Sequence, residues 1–436
     1  MTNTRDKIIY KNTILNYIGR IVYYIISFIT VPLALTYMGK ERFGIYQIIL
    51  TFLSWASIAN LGVGNGLRNK ISEFIGNNRE GELRGIIGSA FYIALIIGLI
   101  LLIVVGSFIW FVFEPEWIIS NTSISYYEIK LTFLVSFIFF CINLVFSLFS
   151  SIAYGIHKSY LTTIVQVVQY AIYCSLLYIF IKTNQKSFLV YVSIIYGVST
   201  IFSQIVPLFT IVKNKFLWPP DFSSHKTYSK ELLNMSLGFF VLQLSSIVLF
   251  SSDNIILSKL LGPEEVTEYN IAYKLYFLII TFFSIILIQV WNSTTDALAK
   301  KDFDWIKKTV KKLHFILIPI FLGTIIISIF LNDIIFIWIG ETFNFSLNFR
   351  IIFAVYVLFH CSNAIFVNIL NGIGRLRIQT ISYIFAAILN FILAYYFIVN
   401  LNLGIISVLY SKLICIIFTS FLCMLDYNKF IKSSEL

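Results

Sequence analysis

Two stretches of the sequence, "MGKERFGIYQ" (38–47) and "LGPEEVTEYN" (261–270), lie in different halves of the chain and align without a gap. Each holds a glycine, a glutamate and a tyrosine at the same places, and the matched residues are Gly39 and Gly262, Glu41 and Glu264, and Tyr46 and Tyr269. A second pair, "YGIHKSYLTT" (154–163) and "NGIGRLRIQT" (371–380), matches at nearly the same separation. Because the two separations are so similar, the chain contains an internal repeat of about half its length.

The composition places both copies of the repeat in a membrane. The chain has 436 residues, of which 58% are hydrophobic and 12% charged, whereas a soluble domain holds roughly a quarter charged residues. Apolar runs of about 20 residues, enough to cross a bilayer as a helix, recur along its whole length. These runs are continuous and lack the alternation of a barrel strand. They predict about twelve transmembrane helices, at about 14–38, 43–64, 86–113, 129–153, 161–182, 188–212, 232–260, 269–295, 313–339, 349–373, 378–399 and 404–425.

Six spans in each half give the two copies the same orientation, so the repeat is parallel. The sequence predicts an all-α polytopic membrane protein built from an N-terminal lobe (1–212), a cytoplasmic linker (213–231) and a C-terminal lobe (232–436). Most of the 32 lysines and arginines lie in the even-numbered loops and at the two ends. The positive-inside rule therefore predicts that both termini are cytoplasmic.

The net charge of +11 is explained by this topology, because the basic residues are scattered over short loops. Nucleic acid is not an expected partner. The five cysteines fall inside apolar runs without metal-ligand spacing, and we predict that they are reduced packing residues. No catalytic constellation, metal site or cofactor site is predicted.

Polar side chains recur at helical spacing in the first hairpin of each half, at the same register. Polar side chains are unfavourable on a helix face that contacts only lipid. We therefore expect both stripes to face a water-filled cavity shared by the halves. The candidate cavity residues are Arg20, Gln47 and Thr51 in the first half, and Gln243, Asp253, Asn270 and Lys274 in the second.

Each ionisable residue in these spans has two readings. Asp253 either forms a fixed ion pair with Lys274, or changes partner or takes up a proton as the cavity opens and closes. Arg20 either extends to the cytoplasmic surface or offers its fork of donors to a phosphate. His360, in the tenth span, is either a packing residue or a proton relay. Lys412, in the twelfth, is a weaker candidate.

The chain resembles a known family in the segments 12–47 ("NTILNYIGRIVYYIISFITVPLALTYMGKERFGIYQ"), 60–73 ("NLGVGNGLRNKISE"), 251–275 and 371–380. They are similar to polysaccharide-biosynthesis flippases of the Wzx type, and the resemblance covers essentially the whole chain. It implies the MATE fold of the multidrug and toxic-compound extruders: two six-helix lobes around a central cavity that work by alternating access. It also implies that Arg20 and Lys274 are cations of the cavity, and that Asp253 is its acid.

The implied cargo is an undecaprenyl-pyrophosphate-linked glycan, such as an O-antigen unit of lipopolysaccharide. It would move from the cytoplasmic to the outer leaflet of the bacterial inner membrane while its tail stays among the membrane lipids. Coupling to a proton or sodium gradient, and cooperation with polysaccharide polymerase machinery, are implied in the same way. One alternative is a multidrug or metabolite extruder of this fold, which would use several acids to hold a cation. Another is a membrane glycosyltransferase or O-antigen polymerase, which would need a sizeable domain outside the membrane.

Overall fold

The computed structural model describes residues 2–56, 63–76, 79–156, 158–183, 188–223, 228–229, 252–299, 301–375 and 377–434. Over these residues the chain forms helices, turns and short connections, and no strand. The predicted all-α fold is therefore confirmed. Gln243 and most of the predicted seventh span lie outside the described residues.

The chain divides into two compact units, residues 1–244 and 245–436. The described helices of the first unit are α1 (Thr2–Ala56), α2 (Val63–Gly76), α3 (Leu83–Phe111), α4 (Tyr126–Phe146), α5 (Leu148–Gly155), α6 (Tyr160–Lys182), α7 (Leu189–Ser203) and α8 (Ile205–Val212). Two short 3-10 turns, Glu80–Glu82 and Pro115–Trp117, flank α3. Within this unit α1 packs along α6, while α4 packs between α3 and α7.

The described helices of the second unit are α9 (Asp253–Leu260), α10 (Pro263–Ala299), α11 (Phe303–Ile339), α12 (Leu347–Ile373), α13 (Arg377–Val399) and α14 (Ile406–Ser434). Helix α12 packs against α10, α11 and α14, and α14 also packs along α13. Side-chain caps fix two of these helix starts, because Asp302 accepts from the Trp305 amide at 3.0 Å and Ser346 accepts from the Phe349 amide at 3.2 Å.

Helix α1 contains a sharp break that separates two predicted spans. Its 55 residues would extend about 80 Å if straight, far beyond the roughly 30 Å of a bilayer core. Gly39, with φ 75° and ψ 170°, interrupts the helical conformation, and such a positive φ favours glycine. The first candidate membrane segment, Ile14–Ser54, thus holds predicted span one and the first part of predicted span two.

Ten segments of the described residues are long and apolar enough to cross a membrane. The first contains the Gly39 break and accounts for predicted span one and the first part of span two. The other nine correspond to predicted spans three to six and eight to twelve. Of span seven, only the part in α9 is described. The protein is a multi-pass membrane protein.

The internal repeat is visible in the backbone of both units. When the halves are aligned so that Gly155 matches Gly372, α6 and α13 begin and end at matching positions. In the same alignment α7 and α14 also begin at matching positions. Gly262 follows α9 with φ 110°, so it shares the positive φ of its partner Gly39. Both turns therefore require a backbone conformation that side chains with a Cβ disfavour.

Two further glycines mark the same helix crossing in each unit. A Cβ on Gly155 would lie 2.7 Å from the Ile71 Cβ and 3.1 Å from the Arg68 carbonyl oxygen. A Cβ on Gly372 would lie 2.7 Å from the Thr294 Cβ and 2.8 Å from the Trp291 carbonyl oxygen. The contacted residues also correspond in the repeat. Ile71 aligns with Thr294 and Arg68 with Trp291, in the same register that aligns Gly39 with Gly262. The two units thus share a close helix contact as well as a sequence pattern.

The predicted linker begins with residues that pack against the first unit. Leu217 is 1% exposed in a core cluster supplied mainly by α2, α3 and α5, and Trp218 packs against that cluster. The Asp221 amide donates to the Arg84 carbonyl at 2.9 Å. Tyr228 donates from its hydroxyl to a Glu82 carboxylate oxygen at 2.7 Å. The described part of the segment 213–231 is therefore held at the start of α3.

Candidate functional site

A buried ion pair lies at the centre of the second unit. Asp253, the first residue of α9, is 3% exposed, and Lys412 of α14 is 4% exposed. The Lys412 ammonium contacts the Asp253 Oδ2 atom. Tyr269 of α10 donates to the same oxygen at 2.5 Å and accepts from Lys412 at 3.3 Å. A carboxylate can stay in this apolar unit because a cation and a hydroxyl replace its water.

Three tyrosine rings surround the ammonium of Lys412. Its nitrogen lies 5.9 Å from the ring centroid of Tyr269, 5.5 Å from that of Tyr273 and 5.8 Å from that of Tyr356. Tyr269 and Tyr273 are one helical turn apart and share one face of α10, and Tyr356 comes from α12. These distances are within the range of cation–π attraction. We call Asp253, Lys412 and the three tyrosines the caged ion pair.

A neutral polar network adjoins the caged ion pair. Asn390 donates to the Ser252 hydroxyl at 3.2 Å, and Ser411 donates to the Asn390 side-chain oxygen at 2.8 Å. All three residues are 0% exposed. Ser252 and Ser411 directly precede Asp253 and Lys412 in the sequence. The network therefore fixes α9, α13 and α14 at the level of the charges.

The predicted partner of Asp253 was wrong, because Asp253 pairs with Lys412 and not with Lys274. Lys274 follows Tyr269 by five positions, which turns its side chain about 140° around α10 from the face that Tyr269 presents. It is half-buried on that helix. A hairpin pattern cannot show that a helix from the far end of the chain packs beside it.

The other candidate residues of the second unit lie close to the pair. Asn270 donates to the Asn254 side-chain oxygen at 2.8 Å, so the neighbours of Tyr269 and Asp253 also join α9 to α10. His360 lies on α12 with its Nδ1 atom 3.4 Å from the Tyr356 hydroxyl. It therefore contacts one wall of the cage, and its role as relay or packing residue stays a prediction.

In the first unit, Arg20 is half-buried on α1. Thr51 donates from its hydroxyl to the Gln47 carbonyl at 2.9 Å, and the Gln47 side chain is half-buried one turn before it. Gln243 lies outside the described residues. The roles of all these residues in binding cargo stay predictions.

The signals for the cage were present in the sequence but were not decisive. Tyr269 belongs to the repeat, Tyr273 follows it by one helical turn, and Lys412 is a charge inside an apolar span. Only the packing of α12 against both α10 and α14, which lets Lys412 reach Tyr269, shows that these residues meet. The caged ion pair thus contains a neutralised acid and a fixed cation, both enclosed by aromatic side chains.

The buried acids of the described residues all have a basic partner. Besides Asp253, they are Glu128, whose Oε1 atom lies 3.2 Å from the Arg42 Nε atom, and Asp426, whose Oδ1 atom lies 2.8 Å from an Arg375 nitrogen. Glu128 also accepts from the Leu189 amide at 2.8 Å. These carboxylates are thus engaged by the protein itself, which limits what they offer to a cationic ligand.

A family model described as "Polysaccharide biosynthesis protein" matches residues 9–292, well over half of the chain. The chain belongs to the polysaccharide biosynthesis protein family. A second model, MatE, matches residues 239–396, so the sequence resemblance to the Wzx type and to its superfamily is confirmed.

Two relatives agree with this family, and one solved structure agrees with the fold. A Yersinia pseudotuberculosis protein named for O-antigen export is 24% identical over 85% of each chain. A Salmonella typhimurium protein named as an O-antigen transporter is 23% identical over 93% of each chain. The inward-facing structure of a multidrug resistance MATE family transporter superposes with a TM-score of 0.78 at 15% identity, covering 95% of both chains. This member of the family has the MATE-like fold, and the two relatives it resembles are named for export or transport.

Proposed function

We propose that this protein moves undecaprenyl-pyrophosphate-linked oligosaccharide units, of an O-antigen or similar surface polysaccharide, across the bacterial inner membrane. The units pass from the cytoplasmic to the outer leaflet by alternating access, and both termini lie in the cytoplasm. The observation that carries the proposal is the match to the polysaccharide biosynthesis family. The relatives named for O-antigen transport, which align over most of the chain, support it.

The charges of the described residues favour an anionic cargo over the cations of a drug extruder. An extruder needs free acids, whereas the three buried acids described here are paired with lysine or arginine. A pyrophosphate and its sugars cannot cross hydrocarbon unaided, because each polar group would lose its hydration. A transporter must therefore replace that hydration for the head group while the polyprenyl tail stays among the membrane lipids. Arg20 and Lys274 are the proposed cations for the pyrophosphate.

A proton or sodium gradient is the proposed energy source, and Asp253 is its proposed ion-binding group. The caged ion pair supports this, because a proton or sodium ion on Asp253 would compete with Lys412 for the same oxygen. We propose that the exported glycan units are the substrates of the polysaccharide polymerase machinery at the outer face of the membrane. The half-buried His360 stays a second candidate for moving the proton.

A deletion strain tests the cargo. Cells that lack the gene are expected to lose surface polysaccharide and to accumulate glycan-loaded carrier lipid on the cytoplasmic face of the inner membrane. Expression of the wild-type chain should reverse both effects, and an empty vector should reverse neither. If the deletion leaves the glycan lipid in the outer leaflet and only raises sensitivity to cationic dyes, the protein is an extruder.

A further inference from the structure

The first unit contains a cavity of about 330 Å³ lined by α1, α4 and α7. Its polar lining residues are Tyr46, Ser54, Ser136, Asn143, Ser193 and Tyr196, together with Thr200. This volume is far above the roughly 10–15 Å³ that a single ordered water requires. It is the size of a small polar ligand such as one sugar ring. We call this space the first-unit cavity.

Two polar atoms on the wall of the first-unit cavity lack a hydrogen-bond partner among the described residues. They are the hydroxyl of Tyr46, a residue that is 3% exposed, and the side-chain oxygen of Asn143. The Tyr173 hydroxyl lies near that of Tyr46, but the two do not form a hydrogen bond of regular geometry. A buried polar atom left without a partner costs about 1–3 kcal/mol. A ligand with hydroxyl groups would satisfy both orphaned atoms, since a hydroxyl can donate and accept.

The rest of the wall is apolar, from the aromatic rings and from Leu50 and Leu53, or carries small hydroxyls, and none of its lining residues carries a formal charge. The rings of Phe139, Phe140 and Tyr196 offer apolar faces, while Ser136 donates to the Ser193 hydroxyl at 2.7 Å. A pyrophosphate would find no cation among these lining residues, and a cationic drug would find no carboxylate. A neutral sugar has both a face of C–H groups for the rings and an edge of hydroxyls for the polar atoms.

The repeat shows that the two units differ at the wall of this cavity. Because α7 and α14 begin at equivalent positions of the repeat, Ser193 and Gly197 of α7 correspond to Tyr410 and Ile414 of α14. The second unit therefore has large side chains at positions where the first unit has small ones. Tyr410 uses its hydroxyl to bond Asn348 at 3.3 Å, within its own unit. Gly197 lets the Phe139 ring pack directly against α7, because a Cβ at this position would overlap that ring. The small side chain of Ser193 borders the open space on the wall that also carries Tyr46.

We propose that the first-unit cavity binds a neutral sugar residue of the transported glycan. This inference rests on the proposed function, and it assigns the sugar and the pyrophosphate of one cargo to different sites. The Tyr46 hydroxyl and the Asn143 oxygen hold the sugar hydroxyls, and the aromatic rings hold its apolar face. The cavity thus selects for the glycan, whereas the cations select for the carrier.

The test uses the purified full-length protein and the repeat-unit oligosaccharide released, without carrier lipid, from the surface polysaccharide of the producing strain. Binding is followed by saturation-transfer NMR and titrated to an apparent Kd. Loss of one hydrogen bond should weaken binding about five- to tenfold in Tyr46→Phe and in Asn143→Leu. Tyr395→Phe, which changes a 56% exposed tyrosine of α13, is the matched control and should bind as wild type. Inorganic pyrophosphate should not displace the oligosaccharide.

The cavity holds only water, and the inference fails, if the wild-type protein gives no saturation transfer or if both cavity variants bind as tightly as it does. Displacement by pyrophosphate would also overturn it, because it would place the sugar at a charged site. Unfolding temperatures of the variants are measured alongside, and they should stay the same or rise, because each substitution removes a buried polar atom that has no regular hydrogen-bond partner. The binding assay needs neither carrier nor transport. A failure of the deletion experiment therefore counts against the proposed function alone.

Discussion

Asp253 and Lys412 form a buried ion pair between α9 and α14, and each residue exposes less than a twentieth of its surface. Because the Tyr269 hydroxyl bonds both partners, three helices of the second unit meet at one charge. Removing either partner would leave the other charge buried without compensation. The stability of this unit and the state of the pair are therefore linked.

We predict that Asp253→Asn and Lys412→Met each lower the free energy of unfolding by about 3–5 kcal/mol, the usual cost of breaking a buried pair from one side. The double variant should recover most of that loss, because no charge remains unpaired. Unfolding of the purified protein in detergent, followed by tryptophan fluorescence, measures all three. Additive losses in the double variant would show that the two side chains act independently.

The same double variant separates a structural pair from an ion-coupling one. If Asp253 takes up the coupling ion, the double variant should recover most of the stability lost in the single variants yet fail to export glycan. Surface polysaccharide of the complemented deletion strain gives this readout. Export at the wild-type level would make the pair a packing element only.

Tyr269→Phe tests the hydroxyl that joins the two charges. We expect a loss of about 1–3 kcal/mol in stability, because the variant keeps the ring but removes one donor and one acceptor. Tyr273→Phe is the matched control, since it also keeps a ring beside Lys412. Equal melting temperatures for the two variants would contradict a bridging role for Tyr269.

Arg20 is predicted to contact the pyrophosphate of the cargo. Arg20→Ala should impair export more than Arg20→Lys, because the first change removes the charge and the second only the fork of donors. Surface polysaccharide per cell is compared at matched protein levels. If both variants export like wild type, Arg20 has no part in binding cargo.

The glycine contacts predict a matched effect in the two units. Gly155→Ala and Gly372→Ala should each destabilise the protein by about 1–3 kcal/mol, because the added methyl group enters an occupied space. Gly106→Ala is the control, since its Cβ would meet nearest atoms only at 3.8 Å and 3.9 Å. The melting temperatures of the three variants are measured in one detergent. An equally large decrease for Gly106→Ala would show that the loss of stability does not come from the close helix contact.

Membrane topology is tested with reporters. A green fluorescent protein fused after residue 436 should fluoresce, and alkaline phosphatase at the same place should be inactive, because both termini are predicted to be cytoplasmic. A phosphatase inserted at Gly262 should be active. The reverse pattern would invert the proposed direction of export.

The class of fold was predictable because hydrophobic runs and repeated turns are local properties of the sequence. Gly39 and Gly262 match in sequence and share a positive φ, so the alignment of the halves carried structural information. The partner of Asp253 was not predictable, because an apolar helix pattern does not say which distant helix packs beside it. The first-unit cavity was missed for a related reason: Ser193 looks like an ordinary small residue until its neighbours are known.

Gly155 and Gly372 hold the same kind of close contact with partners at matching positions. At both places only a hydrogen atom fits where other residues carry a Cβ, so the same pair of helices can approach equally closely in each unit. Around this common scaffold the interiors differ, because the first unit contains a hollow and the second encloses a charge.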